Sequence, residues 1–220
     1  MNEIMQRQES LGLDIPDAVA IVGCGGVGCW TAYFLALAGV PELWLFDMDT
    51  VSEHNLNRLP LPITSVGKRK SVALAELIHT VRPKCNVLTM GIFSNEIVAA
   101  CDLQDSVQWV VATTDTLASR RLVKKWAEVH YGMNYIEAAA EGEMGSCTAD
   151  PADWSTPQEA QPGYQSVPVW VGPCVFSAGI AVAHILHCST PGDRVLRMGW
   201  DKLEGQFSIF DSEKESKVNG

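Results

Sequence analysis

The sequence predicts a mostly parallel, doubly wound α/β sheet, on three observations. Short apolar strand-like runs alternate with helical patterns from Ala18 onward. Such alternation builds parallel strands joined by right-handed crossovers. A glycine-rich turn, GCGGVG (23–28), separates the first strand from the first helix. Two early strands, ELWLFD and VQWVVATTD, end in an acid, at the carboxyl edge where such sheets bind ligands.

Each element has its own signal. Residues 18–23, AVAIVG, form a buried-strand run. In the helix that follows, Trp30, Phe34, Leu37 and Ala38 recur at helical spacing, and Gly39 is its stop. ELWLFD (42–47) is the second strand, and 48–67 reads as loop with Pro60, Pro62 and Gly67. A helix is expected from Lys68 to Thr80, with Val72, Leu74, Ala75 and Ile78 inward. CNVLTMGI is the third strand, SNEIVAAC a short helix capped by Ser94, and VQWVVATTD the fourth strand. Residues 117–130 read as a helix and 134–150 as strands. Residues 150–168 hold four prolines and read as one long irregular loop. PCVFSAGIAVAHILHC is a helix opened by Pro173. VLRMGW and GQFSIF suggest closing antiparallel strands. The whole is expected to be a polar lead-in (1–17), one domain (18–210) and a frayed tail (211–220).

Composition narrows the function classes. The chain has 220 residues, 47% hydrophobic and 19% charged, which is ordinary globular composition. No apolar run reaches membrane-helix length, and the polar start lacks a signal core, so no membrane and a cytoplasmic setting are expected. The net charge of −10 disfavours a nucleic-acid sheath. Basic residues cluster at Lys68-Arg69-Lys70, Arg120-Arg121 and Lys124-Lys125, as islands for a small anion or as solvated helix faces. The seven cysteines include no Cys-x-x-Cys pair, so reduced thiols and no structural zinc are expected.

Gly23, Gly25, Gly26 and Gly28 let the backbone turn tightly and approach a phosphate at a helix start. Asp47 stands where a carboxylate accepts hydrogen bonds from ribose hydroxyls. Alone, this pairing fits NAD as well as ATP, or a tight turn with no ligand.

The downstream stretches decide between these. GCGGVG (23–28), DMDTVSEHNLNR (47–58), VGKRK (66–70) and ATTDTLASRRL (112–122) occur in order. With them the chain resembles the ThiF/MoeB/HesA superfamily, related to ubiquitin-activating enzymes, over roughly 18–210. The resemblance implies a Rossmann-like single domain that uses ATP and Mg²⁺ to adenylate a carboxylate. The implied substrate is the C-terminus of a small ubiquitin-like or sulfur-carrier protein ending in Gly-Gly, and a homodimer is implied. By the same resemblance Asp47 binds ribose, and Asn55 and Arg58 contact the triphosphate. Lys70 holds phosphate oxygens, with Lys68 the near alternative, and Asp115 coordinates Mg²⁺. Asp49 helps with metal or orientation, and Arg120 braces the loop carrying Asp115.

The residue types suit that chemistry. A carboxylate attacking an α-phosphate brings two anions together, and fixed cations lower the barrier. Arg58 offers a planar fork, Lys70 a point charge and Asp115 a hard oxygen ligand. No general base is needed, since the attacking carboxylate is ionised at neutral pH. Plainer readings stand beside these roles. Asp49 and Asn55 fit turn residues, Arg58 a surface arginine, Lys68 to Lys70 a solvated helix start, and Asp115 an N-cap.

The chain departs from the family pattern at Leu59, where glutamine is usual, and at Thr116, where asparagine is common. The 150–170 crossover loop holds no cysteine for a thioester. Cys147 precedes it, and Cys174 follows it at a helix start, where a thiol pKa falls, although a small buried apolar residue is the commoner role. Arg7 is the one arginine ahead of the glycine loop available to act on a partner's site. His184, His187 and Cys188 share a helix edge, read as packing over metal binding. Trp154 and Trp170 flank the Pro-rich loop, as interface anchors or as packing. The rival functions are adenylation of a peptide or tRNA-linked carboxylate, an NAD(P)-dependent oxidoreductase, and a silent subunit that only binds a ubiquitin-like protein.

Overall fold

A computed structural model describes residues 3–94, 96, 107–130, 133–148, 168–187, 196–201 and 206–211. Most of the short helix expected at 94–101, most of the 150–168 loop, Trp154, Cys188 and the tail after Asp211 fall outside these residues.

One eight-stranded sheet organises the chain. Its strands are β1 (Ala18–Val22), β2 (Glu42–Phe46), β3 (Asn86–Met90), β4 (Trp109–Ala112), β5 (Asn134–Glu141), β6 (Met144–Thr148), β7 (Leu196–Asp201) and β8 (Gln206–Asp211). The spatial order is β3-β2-β1-β4-β5-β6-β7-β8. β1 to β5 run parallel, and β6, β7 and β8 join antiparallel. The predicted α/β sheet with closing antiparallel strands is therefore what forms. Strand order reverses between β1 and β4, which makes a crevice beyond their carboxyl ends.

β1, AVAIV, is buried along its whole length because helices cover both faces. Val19, Ile21, Leu43, Leu45, Val111 and Ile136 pack on one face, under helices α1 (Gly26–Ala38), α2 (Lys70–Val81) and α4 (Val171–His187). Ala20, Val22, Phe46, Val110 and Ala112 pack on the other, against Val123, Trp126 and Ala127 of α3 (Leu117–Val129).

Two helices, α2 and α4, differ from expectation for identifiable reasons, while α1 forms as expected and ends at Gly39. In α1 the buried residues are Val27, Gly28, Cys29, Thr31, Ala32, Leu35 and Ala36, so the small residues face inward and let α1 approach the sheet and α4. Trp30 and Phe34 are half-buried and stack on each other at 5.5 Å, and Leu37 is exposed. α2 starts at Lys70 because 67–69 pair with 49–51: Gly67 N–H donates to Val51 O and Val51 N–H to Lys68 O, each at 2.8 Å. Val72 is half-buried there, and Ser71 and Ala73 take the inward positions. α4 starts at Val171, two residues before Pro173; a first-turn proline loses no helical hydrogen bond. Among the described residues no helix is long and apolar enough to cross a membrane.

Candidate active site

The site grows from three neighbouring strand ends. Val22, the last residue of β1, pairs with Phe46 of β2 and Ala112 of β4. Gly23, Asp47 and Thr113 therefore leave the sheet side by side.

The glycine turn is fixed by close backbone approaches. Gly23 has φ 98°, and a Cβ there would lie 2.9 Å from the Thr113 carbonyl oxygen. A Cβ at Gly28 would overlap the Gly23 carbonyl oxygen. These two glycines hold the turn together. Gly25, the N-cap of α1, has nothing within 4 Å of a Cβ position, so the start of α1 faces open space. Such a helix start, with unpaired N–H groups, suits an anion.

The loop after β2 encloses that helix start. Asp47 accepts Cys24 N–H at 2.6 Å and Asp49 N–H at 2.7 Å, which ties the glycine turn to β2. Burial raises the Asp47 pKa, and those two N–H donors and the Lys70 ammonium work against the rise. Asn55 is buried and its Oδ1 takes Ser52 N–H at 3.1 Å, so it builds a short 3-10 helix (Glu53–Asn55). Arg58 lies across the α1 start: its Cδ is 3.3 Å from a Cβ position on Gly26. Trp30 Nε1 donates to Arg58 O at 2.9 Å, and Arg58 Nη1 donates to His54 O and Asn57 Oδ1. Its Nε and Nη2 have no partner among the described residues.

Lys70 and Lys68 separate clearly. Lys70 Nζ meets Asp49 Oδ2 at 2.7 Å, with the lysine side chain 13% exposed and the aspartate 65%. Its charge is felt at Asp47 and at the Cys24 and Cys29 thiols. Lys68 instead pairs with Glu76 on the surface, a contact of little energetic weight. Lys70 is thus the lysine turned toward the glycine turn.

The loop after β4 is pinned on several sides. Thr113 N–H donates to Val22 O, and its hydroxyl donates to Gly23 O at 2.6 Å. Ser119 Oγ donates to Thr114 Oγ1, and Arg120 Nε donates to Thr114 O, both at 2.7 Å. Thr116 caps α3 by accepting Ser119 N–H, so the N-cap role considered for Asp115 belongs to its neighbour. Asp115 is exposed, and its carboxylate has no partner among the described residues.

The thiols here are buried. Cys24, Cys29 and Cys174 are each at most 1% exposed, and Cys174 Sγ sits 2.6 Å from a Cβ position on Gly26. Burial pushes the Cys174 thiol up to about 11, against the pull of Arg58, and the Cys147 thiol up to about 12. Burial outweighs the helix start that would otherwise activate Cys174. His184 packs edge-to-face on Trp109 at 6.0 Å. Arg7 is exposed, on a segment docked at the other end of α1, where Gln8 Nε2 donates to Ala38 O. That is about 20 Å of helix from Gly25 within the same chain.

Sequence reasoning missed Glu137. It is fully buried in β5 and accepts Arg120 Nη1 at 3.0 Å and Tyr135 OH at 3.1 Å. Thr113 and Trp30 were missed too. The one visible signal was an acid inside the apolar run NYIEAAAE.

Several known proteins resemble this chain. The adenylyltransferase and sulfurtransferase UBA4 of Vanderwaltozyma polyspora is 34% identical over 131 residues, covering 58% of this chain and 29% of UBA4. The tRNA threonylcarbamoyladenosine dehydratase of Haemophilus influenzae is 30% identical over 103 residues, covering 46% of this chain and 40% of that protein. The chain thus spans less than half the length of these curated relatives. The crystal structure of E. coli MccB with ATP superposes with a TM-score of 0.66 at 18% identity, covering 90% of this chain and 64% of MccB, a likeness of fold. The ThiF family model matches residues 16–187, and the chain belongs to the ThiF family.

Proposed function

We propose that the chain binds ATP at the start of α1 and adenylates a carboxylate, forming an acyl-adenylate and releasing pyrophosphate. The observation that carries this reading is Arg58 lying across Gly26, beside the open N-terminus of α1. The free nitrogens of Arg58 and the ammonium of Lys70 offset charge as the carboxylate oxygen bonds to the α-phosphorus and the bond to pyrophosphate breaks. Asp47 already presents its carboxylate at the end of β2, where ribose hydroxyls donate to it, and the Asn55 amide borders the phosphates.

The donor set suits a metal carried by the nucleotide. Among the described residues no group of three His, Cys, Asp or Glu could hold an ion alone. Mg²⁺ is commonly held by one or two carboxylates plus substrate phosphates, and Asp115 offers one carboxylate without a partner among the described residues, with Asp49 of the loop after β2 as the second candidate. When bound, the ion neutralises phosphate charge.

The substrate is the C-terminal carboxylate of a small ubiquitin-like or sulfur-carrier protein ending in Gly-Gly, a reading supported by the likeness to UBA4. The likeness to a tRNA threonylcarbamoyladenosine dehydratase favours a second reading, a tRNA-linked carboxylate. The raised pKa values of Cys147 and Cys174 support an acyl-adenylate passed to another nucleophile without a thioester on this chain. One domain over 18–210, a homodimer and a cytoplasmic setting belong to the same proposal.

ATP–pyrophosphate exchange tests it. Exchange that needs a Gly-Gly-ending carrier supports the main reading, and exchange that needs tRNA supports the second. ATP binding without exchange indicates a silent subunit. Binding of NAD but not ATP overturns the proposal.

A further inference from the structure

We infer that Glu137 is a positioning residue for Asp115, acting through Arg120. The inference rests on the ATP–metal reading of the site and adds a residue that the glycine, Asp47 and Arg58 motifs do not contain.

Glu137 lies directly across from Ala112 in the β4–β5 ladder, beside the last residue before the Asp115 loop. It is completely buried, and its carboxylate meets Arg120 Nη1 on one oxygen and Tyr135 OH on the other. The same guanidinium turns its Nε–H onto Thr114 O at 2.7 Å. One planar fork therefore joins a strand inside the sheet to the carbonyl just before Asp115. Arginine's donors are fixed relative to one another, so anchoring one edge sets the direction of the other.

Stability alone is a poor reason for this arrangement. A buried ion pair gains little over an apolar pair of similar volume, because both charges lose their hydration. Burial raises the Glu137 pKa, while Arg120 and Tyr135 oppose the rise. What the pair supplies is a fixed carbonyl at Thr114. Asp115, exposed and without a side-chain partner among the described residues, is otherwise held through its neighbours: Thr113 on Gly23, Ser119 on Thr114 and the Thr116 cap. Metal ligands depend on such outer partners for orientation.

The test uses the full chain and two variants. Glu137→Gln keeps the shape and removes the charge. Arg120→Lys keeps the ion pair, and hence folding, but cannot also hold Thr114 O. ATP affinity is measured by calorimetry in MgCl₂ and in EDTA, and amide hydrogen exchange of 113–116 is followed without nucleotide. Each variant is expected to lose about tenfold of the Mg²⁺-dependent gain in ATP affinity, with EDTA affinity unchanged and faster exchange in 113–116. Asp115→Asn combined with either variant should bind no worse than Asp115→Asn alone. An intact Mg²⁺-dependent gain in Arg120→Lys overturns the inference. So does an equal loss with and without Mg²⁺, or an additive double variant. If wild type binds no ATP, or Asp115→Asn keeps the full Mg²⁺-dependent gain, the ATP–metal reading itself fails and takes the inference with it.

Discussion

The loops after β2 and β4 leave the same edge of the sheet but are held in different ways. The β2 loop is restrained mostly by near neighbours in sequence: Asn55 on Ser52, Arg58 on His54 and Asn57. Its cations rest on acceptors of the same β2–α2 connection, Lys70 on Asp49 among them. The β4 loop is restrained from a distance, by Gly23 in the glycine turn and by Glu137 through Arg120. Its acid is free. One loop carries its charge in pairs of its own; the other holds an exposed acid on a mount braced from other strands.

Breaking each loop at its charged tip should give the largest effects. Arg58→Ala and Asp115→Ala should each lower ATP–pyrophosphate exchange by about a hundredfold or more, with circular dichroism and melting temperature near wild type. A variant that exchanges normally removes its residue from the chemistry.

The glycine turn between the loops separates structural from ligand-facing positions. Gly28→Ala forces a side chain onto the Gly23 carbonyl and should sharply lower the unfolding midpoint in urea. Gly25→Ala meets nothing within 4 Å. It should cost no more than about 1 kcal/mol as a poorer N-cap yet weaken ATP binding clearly by calorimetry. Unchanged ATP affinity in Gly25→Ala would remove the phosphate from the start of α1.

A smaller effect tests how the β2 loop is tied to α1. Trp30→Phe removes the indole donor to Arg58 O and should cost about 1 kcal/mol in denaturant unfolding, with a modest rise in the ATP dissociation constant.

Away from both loops, His184 supplies a pH signature. Its Nε2 is buried with no hydrogen-bond partner among the described residues, and burial lowers its pKa below the usual 6.5. The unfolded chain therefore binds a proton that the folded chain resists. Stability is retained above pH 6.5 and declines as pH falls through the window below it. In urea titrations His184→Phe should flatten that decline.

Cys174→Ala should leave exchange unchanged, and its loss would restore that thiol to the chemistry.

What was legible follows the same division. Strand and helix order could be read from apolar periodicity, and the glycine turn and Asp47 from spacing, because those signals are local. The α2 start shifted because the 49–51 and 67–69 pairing is non-local. The α1 helix and its Gly39 stop could be read from spacing, but not which face it buries, because size decided that: Gly28, Ala32 and Ala36 lie against the sheet while Trp30 is half-buried. Glu137 stayed hidden because its partner lies on another element. A buried acid tells of an ion pair only once the fold brings Arg120 above it.

The hydroxyl and amide of Thr113 stitch the β4 loop to the glycine turn through Gly23 O and Val22 O. Cradle and acid thus behave as a single rigid piece, already assembled when the chain finishes folding. Under the proposed reading, an incoming nucleotide would have little left to gather, so most of the ordering entropy would be spent before the encounter rather than during it.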